Sequence, residues 1–283
     1  MEHLYSLEKE IQMIKTKADF LTLIALSTFS FILATAIHEH GGHALACAVL
    51  GGHIKELGAF YVDCEYASLS ATGNRLVALA GPLISMVTGV IGLSMFERVQ
   101  KTNPILKYFL WLFGTVNLMT AFGYLLFSGV AGIGDLGTDQ FGFFYQVQPE
   151  WAYRVGLSIL GLVTYLLVIK QSLRKMDRII GGEGIERVKY AQMLSMTSYL
   201  AGGVAAILIG FLNPYGIIIV LVSSVASGMG GTSGLAWMMH MLDRTKISAD
   251  TPLEIRRSWA WILTSAAFVI IYAVVFGPTL YFK

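Results

Sequence analysis

The chain has 283 residues, of which 55% are hydrophobic and only 13% charged, and its mean hydropathy is +0.64. Soluble domains carry about 25% charged residues, so this composition excludes a soluble globule and points to a membrane protein. The net charge of +2, with no basic patch interleaved with aromatics, excludes a nucleic-acid-binding surface.

Residues 1–19 carry mixed charge rather than the short basic region of a signal peptide. The apolar run that follows is therefore expected to stay in the mature protein. Leu4, Leu7, Ile11 and Ile14 recur at the three-four spacing of one helical face, which predicts an amphipathic helix on the membrane surface. Phe20 to about Leu50 is the first expected span, with more than the roughly 20 residues a crossing needs, and Gly51-Gly52 ends it. Residues 53–73 are polar and β-leaning, with Phe60, Tyr61 and Val62 between Gly58 and Gly73. They predict a β-hairpin or small sheet beside the membrane. Further spans are expected over residues 74–96, 106–127 (interrupted by Asn117), 152–169, 191–212, 215–242 and 259–277.

Two cysteines make neither a disulfide framework nor a Cys-based zinc site. Cys47 is expected to pack within the first span, and Cys64 to lie in the loop after it, where a thiolate ligand is the one metal-binding use open to it. Seven crossings place 16 of the 20 basic residues on the side of the N-terminus and leave Lys55, Arg75, Arg154 and Lys283 for the other. The positive-inside rule then makes the N-terminus cytoplasmic and the C-terminus external. The expected fold class is an all-α polytopic membrane protein of about seven transmembrane helices, with a small β-hairpin element after the first. It is expected in the cell membrane, in contact with the lipid bilayer.

The chemistry concentrates in Ala36 to Ala46, AIHEHGGHALA. Ionisable side chains are costly in hydrocarbon, and several within six residues mark a functional site. Histidines at close helical spacing bind a transition metal, and a glutamate beside them can act as base for an activated water. His38 and His43 stand five apart, roughly 140° around an ideal α-helix, so they can share one metal only where the helix widens, as in a π-bulge. Gly41-Gly42 would ease such a bulge. The competing pair is His40 with His43, three apart and about 60° from each other. His38 with His43 keeps Glu39 directly after the first ligand. His53 reads as a loop histidine and His240 as an interfacial one. Asp135 and Asp139 lie in the glycine-rich stretch SGVAGIGDLGTDQF after the third span; by the span count they fall on the same side as the histidines.

Histidines and a glutamate late in a first membrane helix, AGP (Ala80, Gly81, Pro82) in the next, and an aspartate after a third resemble the site-2 protease family of intramembrane zinc metalloproteases. The likeness covers about residues 20–140; residues 141–283, with four expected helices, have no counterpart in it. The chain departs from the family in three places. Its motif is HExxGH, a spacing also used by soluble zinc peptidases of the dipeptidyl peptidase III type. It lacks LDG. It has Ser85 where the family often has asparagine. The resemblance implies Zn2+ held by His38, His43 and Asp135, with His40 and Asp139 as alternative ligands. It implies Glu39 as the catalytic base and a transmembrane protein as substrate. Asn117, Gly81 and Pro82 are the expected substrate contacts, and the 53–73 hairpin could take an opened substrate as an added strand. The competing functions are a metal transporter or sensor using the same histidines, and an inactive protease-like scaffold. Neither needs Glu39 as a base.

Overall fold

The computed structural model describes residues 18–99, 103–248 and 253–283. The expected surface helix over residues 1–19 falls almost wholly outside them. The first apolar run forms α1 (Phe20–Ala36), a π-helical segment (Ile37–Ala44) and α2 (Leu45–Val49), one continuous helix from Phe20 to Val49. Asp19 caps its start by accepting from the Thr22 amide at 2.9 Å, as an N-terminus requires. A hairpin follows, β1 (Ile54–Leu57) and β2 (Val62–Cys64), then α3 (Ala71–Arg98) and α4 (Pro104–Ala131). Asn117 does not interrupt α4. Its amide donates to the Phe113 carbonyl at 2.8 Å and its carbonyl accepts from Thr88 at 3.0 Å, so it ties α4 to α3.

α5 (Glu150–Asp177), β3 (Gly182–Glu183) and α6 (Gly184–Gly210) come next. The expected sixth span, residues 215–242, is no single α-helix. It runs as α7 (Ile217–Ile219), a second π-helical segment (Val220–Met229), α8 (Gly234–Trp237) and a 3-10 turn (Met238–Met241). The chain closes with β4 (Ile247–Ser248), α9 (Trp259–Phe276) and β5 (Leu280–Tyr281). Among the described residues six helices are long and apolar enough to cross a membrane, and the protein is a multi-pass, mostly helical membrane protein.

Strand pairing identifies the two faces of the bundle. On one, Ala18 bridges to Ile255, β3 pairs with β4, and Arg257 pairs with Asp19 at 2.7 Å. On the other, β1 is central in a sheet of order β2-β1-β5, Tyr215 donates to Glu56 at 3.3 Å, and Asn213 donates to Thr279 at 3.0 Å. Residues 217–241 therefore pass from the sheet face to the β3–β4 face despite their broken helix. The C-terminal strand was not foreseen. It is two residues long, too short for alternation to register, and it exists because α9 delivers it to the free edge of β1.

Cys47 and Cys64 form a disulfide, which corrects the expectation of a packed thiol and a free loop thiol. The pairing joins α2 to β2, and Gly52 gives the room: a Cβ there would lie 2.9 Å from both sulfurs. The C-terminal helices clasp the first one. Gly202 of α6 lets Phe31 approach so closely that a Cβ would sit 2.3 Å from its ring, and the Tyr272 hydroxyl of α9 donates to the Ala59 carbonyl at 2.7 Å. Such close approaches through small residues are how helices associate in a membrane.

Candidate metal centre

The π-helical segment decides the geometry of the histidines. In it the hydrogen bonds run from residue i+5 to residue i, seen where the Leu45 N–H reaches the His40 carbonyl. His38 and His43, five apart, are thereby one turn from each other and face the same way. Both are buried, as is Glu39. His40 turns to the other side. Its Nε2 meets the Gly58 carbonyl at 3.0 Å and its ring packs on Phe276 with centroids 4.2 Å apart.

Helix α3 approaches this segment backbone to backbone. A Cβ on Gly42 would stand 2.6 Å from the Gly81 Cα, and one on Gly81 would stand 2.3 Å from His43 Nε2 and 2.7 Å from His38 Nε2. Gly81 is thus the wall of the centre, where no side chain fits. Val77, Gly81 and Ser85 are spaced by four on α3 and so share one face. The Val77 carbonyl accepts from His43 Nδ1 at 2.7 Å, and Ser85 Oγ lies 3.0 Å from His38 Nδ1. Pro82, inside the helix, lacks the N–H that would bond the Ala78 carbonyl. Tyr124 of α4 stacks on the His38 ring, 5.0 Å between centroids at 17°.

Asp135 arrives from the loop after α4. Gly132, at φ 78°, ends the helix, and Gly134, at φ 85°, turns the chain again. These backbone conformations favour glycine, and together they bring Asp135 back to the histidines. Asp135 Oδ2 lies 3.0 Å from His38 Nε2 and 3.4 Å from His43 Nε2, and the two Nε2 atoms are 3.3 Å apart. Asp139 stands outside this cluster, with a buried Oδ1 that has no hydrogen-bond partner. Burial, reinforced by the nearby Asp135 charge, holds its carboxyl above the usual carboxylate range. Asn117 is fully buried between α3 and α4 and lines neither of the two cavities beside the centre.

The donor set fits a metal ion. A carbonyl can only accept, so His43 Nδ1 carries the proton and Nε2 offers a lone pair toward His38 and Asp135. Four-coordinate zinc with ligands at about 2.0–2.1 Å places neighbouring donors about 3.3 Å apart, which the three separations match. Ligating histidines are ordinarily held through their other nitrogen, the part taken here by Val77 and Ser85. A spacing of four along α3 from Val77 to Ser85 was the one sequence signal for these supports. Nothing local pointed to Tyr124.

A cavity of about 700 Å³ opens beside the centre, lined by Glu39, His43 and Asp135 at its inner end, by Val62, Asp63 and Cys64 of β2, and by Arg75 of α3. Arg75 donates to the Tyr145 carbonyl at 2.9 Å, fixing the 133–146 loop across it. A second cavity of about 50 Å³ lies against His38 and Glu39. Compared with known proteins, the chain matches no family model, no curated protein and no solved structure.

Proposed function

We propose that the protein is a zinc-dependent intramembrane endopeptidase, as its resemblance to the site-2 proteases implies. The observation that carries this reading is the meeting of His38, His43 and Asp135 within 3.4 Å of one another, with the buried Glu39 beside them in the wall of a peptide-sized cavity. His38, His43 and Asp135 would hold the ion through three protein ligands and leave a position open, the pattern of catalytic rather than structural zinc sites. A zinc ion supplies Lewis acidity there, polarising a peptide carbonyl and acidifying water.

The chain's own residues account for the rest. Glu39 takes a proton from the attacking water as its oxygen bonds to the carbonyl carbon. It then gives that proton to the nitrogen as the C–N bond breaks. Ser85 and the Val77 carbonyl hold the imidazoles in orientation. A transmembrane helix presents no free backbone, because its amides and carbonyls are already paired. Among the described residues β2 is an edge strand paired with β1, and it borders the cavity. An opened substrate segment can pair with its free edge and lie extended across the centre.

In the cell membrane, the face carrying the N-terminus is cytoplasmic and the sheet face external. Two independent features support this: seven crossings read from the sequence assign 16 of 20 basic residues to the N-terminal side, and the disulfide sits on the sheet side, as in oxidising compartments.

The test is Glu39→Gln in the full chain, reconstituted in vesicles with single-span substrates. The peptidase reading expects full zinc content and at least a 100-fold loss of cleavage, in the range of general-base removal. Undiminished cleavage by Glu39→Gln would refute the assigned role. A wild type that loads zinc and cuts no member of a broad substrate set would refute the peptidase reading itself.

A further inference from the structure

Three residues of the HEHGGH stretch, His38, Glu39 and His43, gather at the candidate centre, and His40 turns away from it. What His40 holds instead is the turn of the hairpin. Its Nε2 lies 3.0 Å from the Gly58 carbonyl, and because a carbonyl only accepts, that nitrogen carries the proton and donates it. Its half-buried ring packs against α9, with centroids 4.2 Å from Phe276 and 5.5 Å from Tyr272. The Tyr272 hydroxyl donates to the next carbonyl of the turn, that of Ala59, at 2.7 Å. We propose that His40 is a positioning residue: it sets the height of the hairpin against Glu39, and thereby which peptide bond of a paired substrate is cut. This inference rests on the peptidase reading.

The turn is stiff enough to pass the constraint on. The Gly58 N–H donates to the Tyr61 carbonyl at 3.0 Å and closes it. The Tyr61 ring packs over Gly58, where a Cβ would meet its Cε1 at 2.5 Å. Val62, the next residue, opens β2 and pairs with Leu57. Phe60 and Tyr61 line the large cavity together with Glu39. At its other end β2 is joined through Cys64 to Cys47, further along the helix that carries Glu39. That helix therefore holds the strand at both ends. A substrate strand takes its register from the β2 backbone, and a slip of one residue moves it by about 3.3 Å and exchanges its two faces. A reacting carbonyl tolerates far less, since a misplacement of about 1 Å can cost about 100-fold in rate. A small shift of the hairpin is thus enough to present a different bond. Adjacent residues divide the work: Glu39 serves the reacting carbonyl, and His40 fixes the strand that delivers it.

The test uses the zinc-loaded full chain in phosphatidylcholine vesicles with synthetic single-span peptides. Each has a Leu/Val helix around a central Gly-Ala-Ser-Asn cassette, and the cut is mapped by mass spectrometry. Wild type should cut one bond almost exclusively. His40→Phe keeps a ring against Phe276 and loses the bond to Gly58. It should retain zinc, spread the cut over neighbouring bonds, and raise KM at least fivefold with kcat within about threefold, the split expected when substrate and transition state lose the same binding. His40→Gln, whose amide can donate to the same carbonyl, should restore the single cut. Should His40→Phe fail to fold, Tyr272→Phe, which frees the same turn by removing one oxygen atom, takes its place with the same expectations. A single cut in the variant that folds, or a wild type that cuts several neighbouring bonds equally, would overturn the inference and leave the peptidase reading standing. Loss of zinc from folded His40→Phe would overturn it too, by making His40 a ligand. No cleavage of any peptide by zinc-loaded wild type would overturn both.

Discussion

The chain contains two π-helical stretches, Ile37–Ala44 and Val220–Met229, and they are held differently. The first is embedded in a continuous helix, with 17 α-helical residues before it and five after. It is pinned from α3 through Val77 and Ser85, from the hairpin through Gly58, and beyond its C-terminal end by the Cys47–Cys64 disulfide. The second is preceded by three α-helical residues and ends in a glycine-rich run that begins within it, Gly228 to Gly234. Among its described side chains the bonds to other elements are light: Ser224 to Ala206, and Tyr199 to the Met229 carbonyl at 3.4 Å. A π turn is a costly winding that survives where surrounding contacts determine it. In the first stretch those contacts fix the direction of the candidate ligands; in the second they shape a wall of the small cavity.

The comparison predicts where substitutions hurt. The largest effect is expected for Gly81→Ala, whose Cβ would occupy the space against both Nε2 atoms. It should abolish zinc binding while leaving helix content by circular dichroism unchanged, and retention of zinc would show that α3 is not the wall of the centre. Next comes the disulfide. Closing a loop of about this length stabilises by about 3 kcal/mol, so the Cys47→Ser, Cys64→Ser double variant should lower Tm by roughly 5–10 °C. An unchanged Tm would mean that the hairpin alone holds the C-terminal end of the first helix. Ser85→Ala removes the partner of His38 Nδ1 and should weaken zinc affinity about tenfold, measured by chelator competition. Gly228→Ala in the second stretch would bring a Cβ only to 3.1 Å from the Ser223 carbonyl. It should leave zinc affinity within about twofold, since effects at sites with no shared partners stay separate. A larger loss would join the two stretches into one unit.

The contrast also explains what could be read in the sequence. The first stretch was legible because chemistry constrained its spacing. Two histidines five apart around a glutamate can share an ion only on a widened helix, and Gly41-Gly42 marked the place. The second was not. Residues 220–229, VLVSSVASGM, read as part of an apolar span; the glycine-rich run from Gly228 to Gly234 suggested close packing or a break in that helix, but nothing in the residues before it called for a π-winding. Hydropathy was sufficient to locate the long helices, although several run to 27 or 28 residues and so extend past the apolar stretches that marked them, and the strand-leaning 53–73 segment. The contacts it missed are non-local. Cys47 and Cys64 meet because β2 folds back under α2. Leu280–Tyr281 joins β1 because α9 ends there, and Tyr124 reaches His38 from α4. Asn117 had the polarity of a substrate contact, but its two hydrogen bonds are used between and within helices.

The most direct test of the central claim is the metal content of the detergent-purified protein by elemental mass spectrometry, for wild type and for His38→Ala, His43→Ala, Asp135→Ala and His40→Ala. The account predicts about one zinc per chain, lost in the first three variants and kept in His40→Ala. Zinc lost with His40 and kept without His38, or no zinc in wild type after it is supplied, would contradict it.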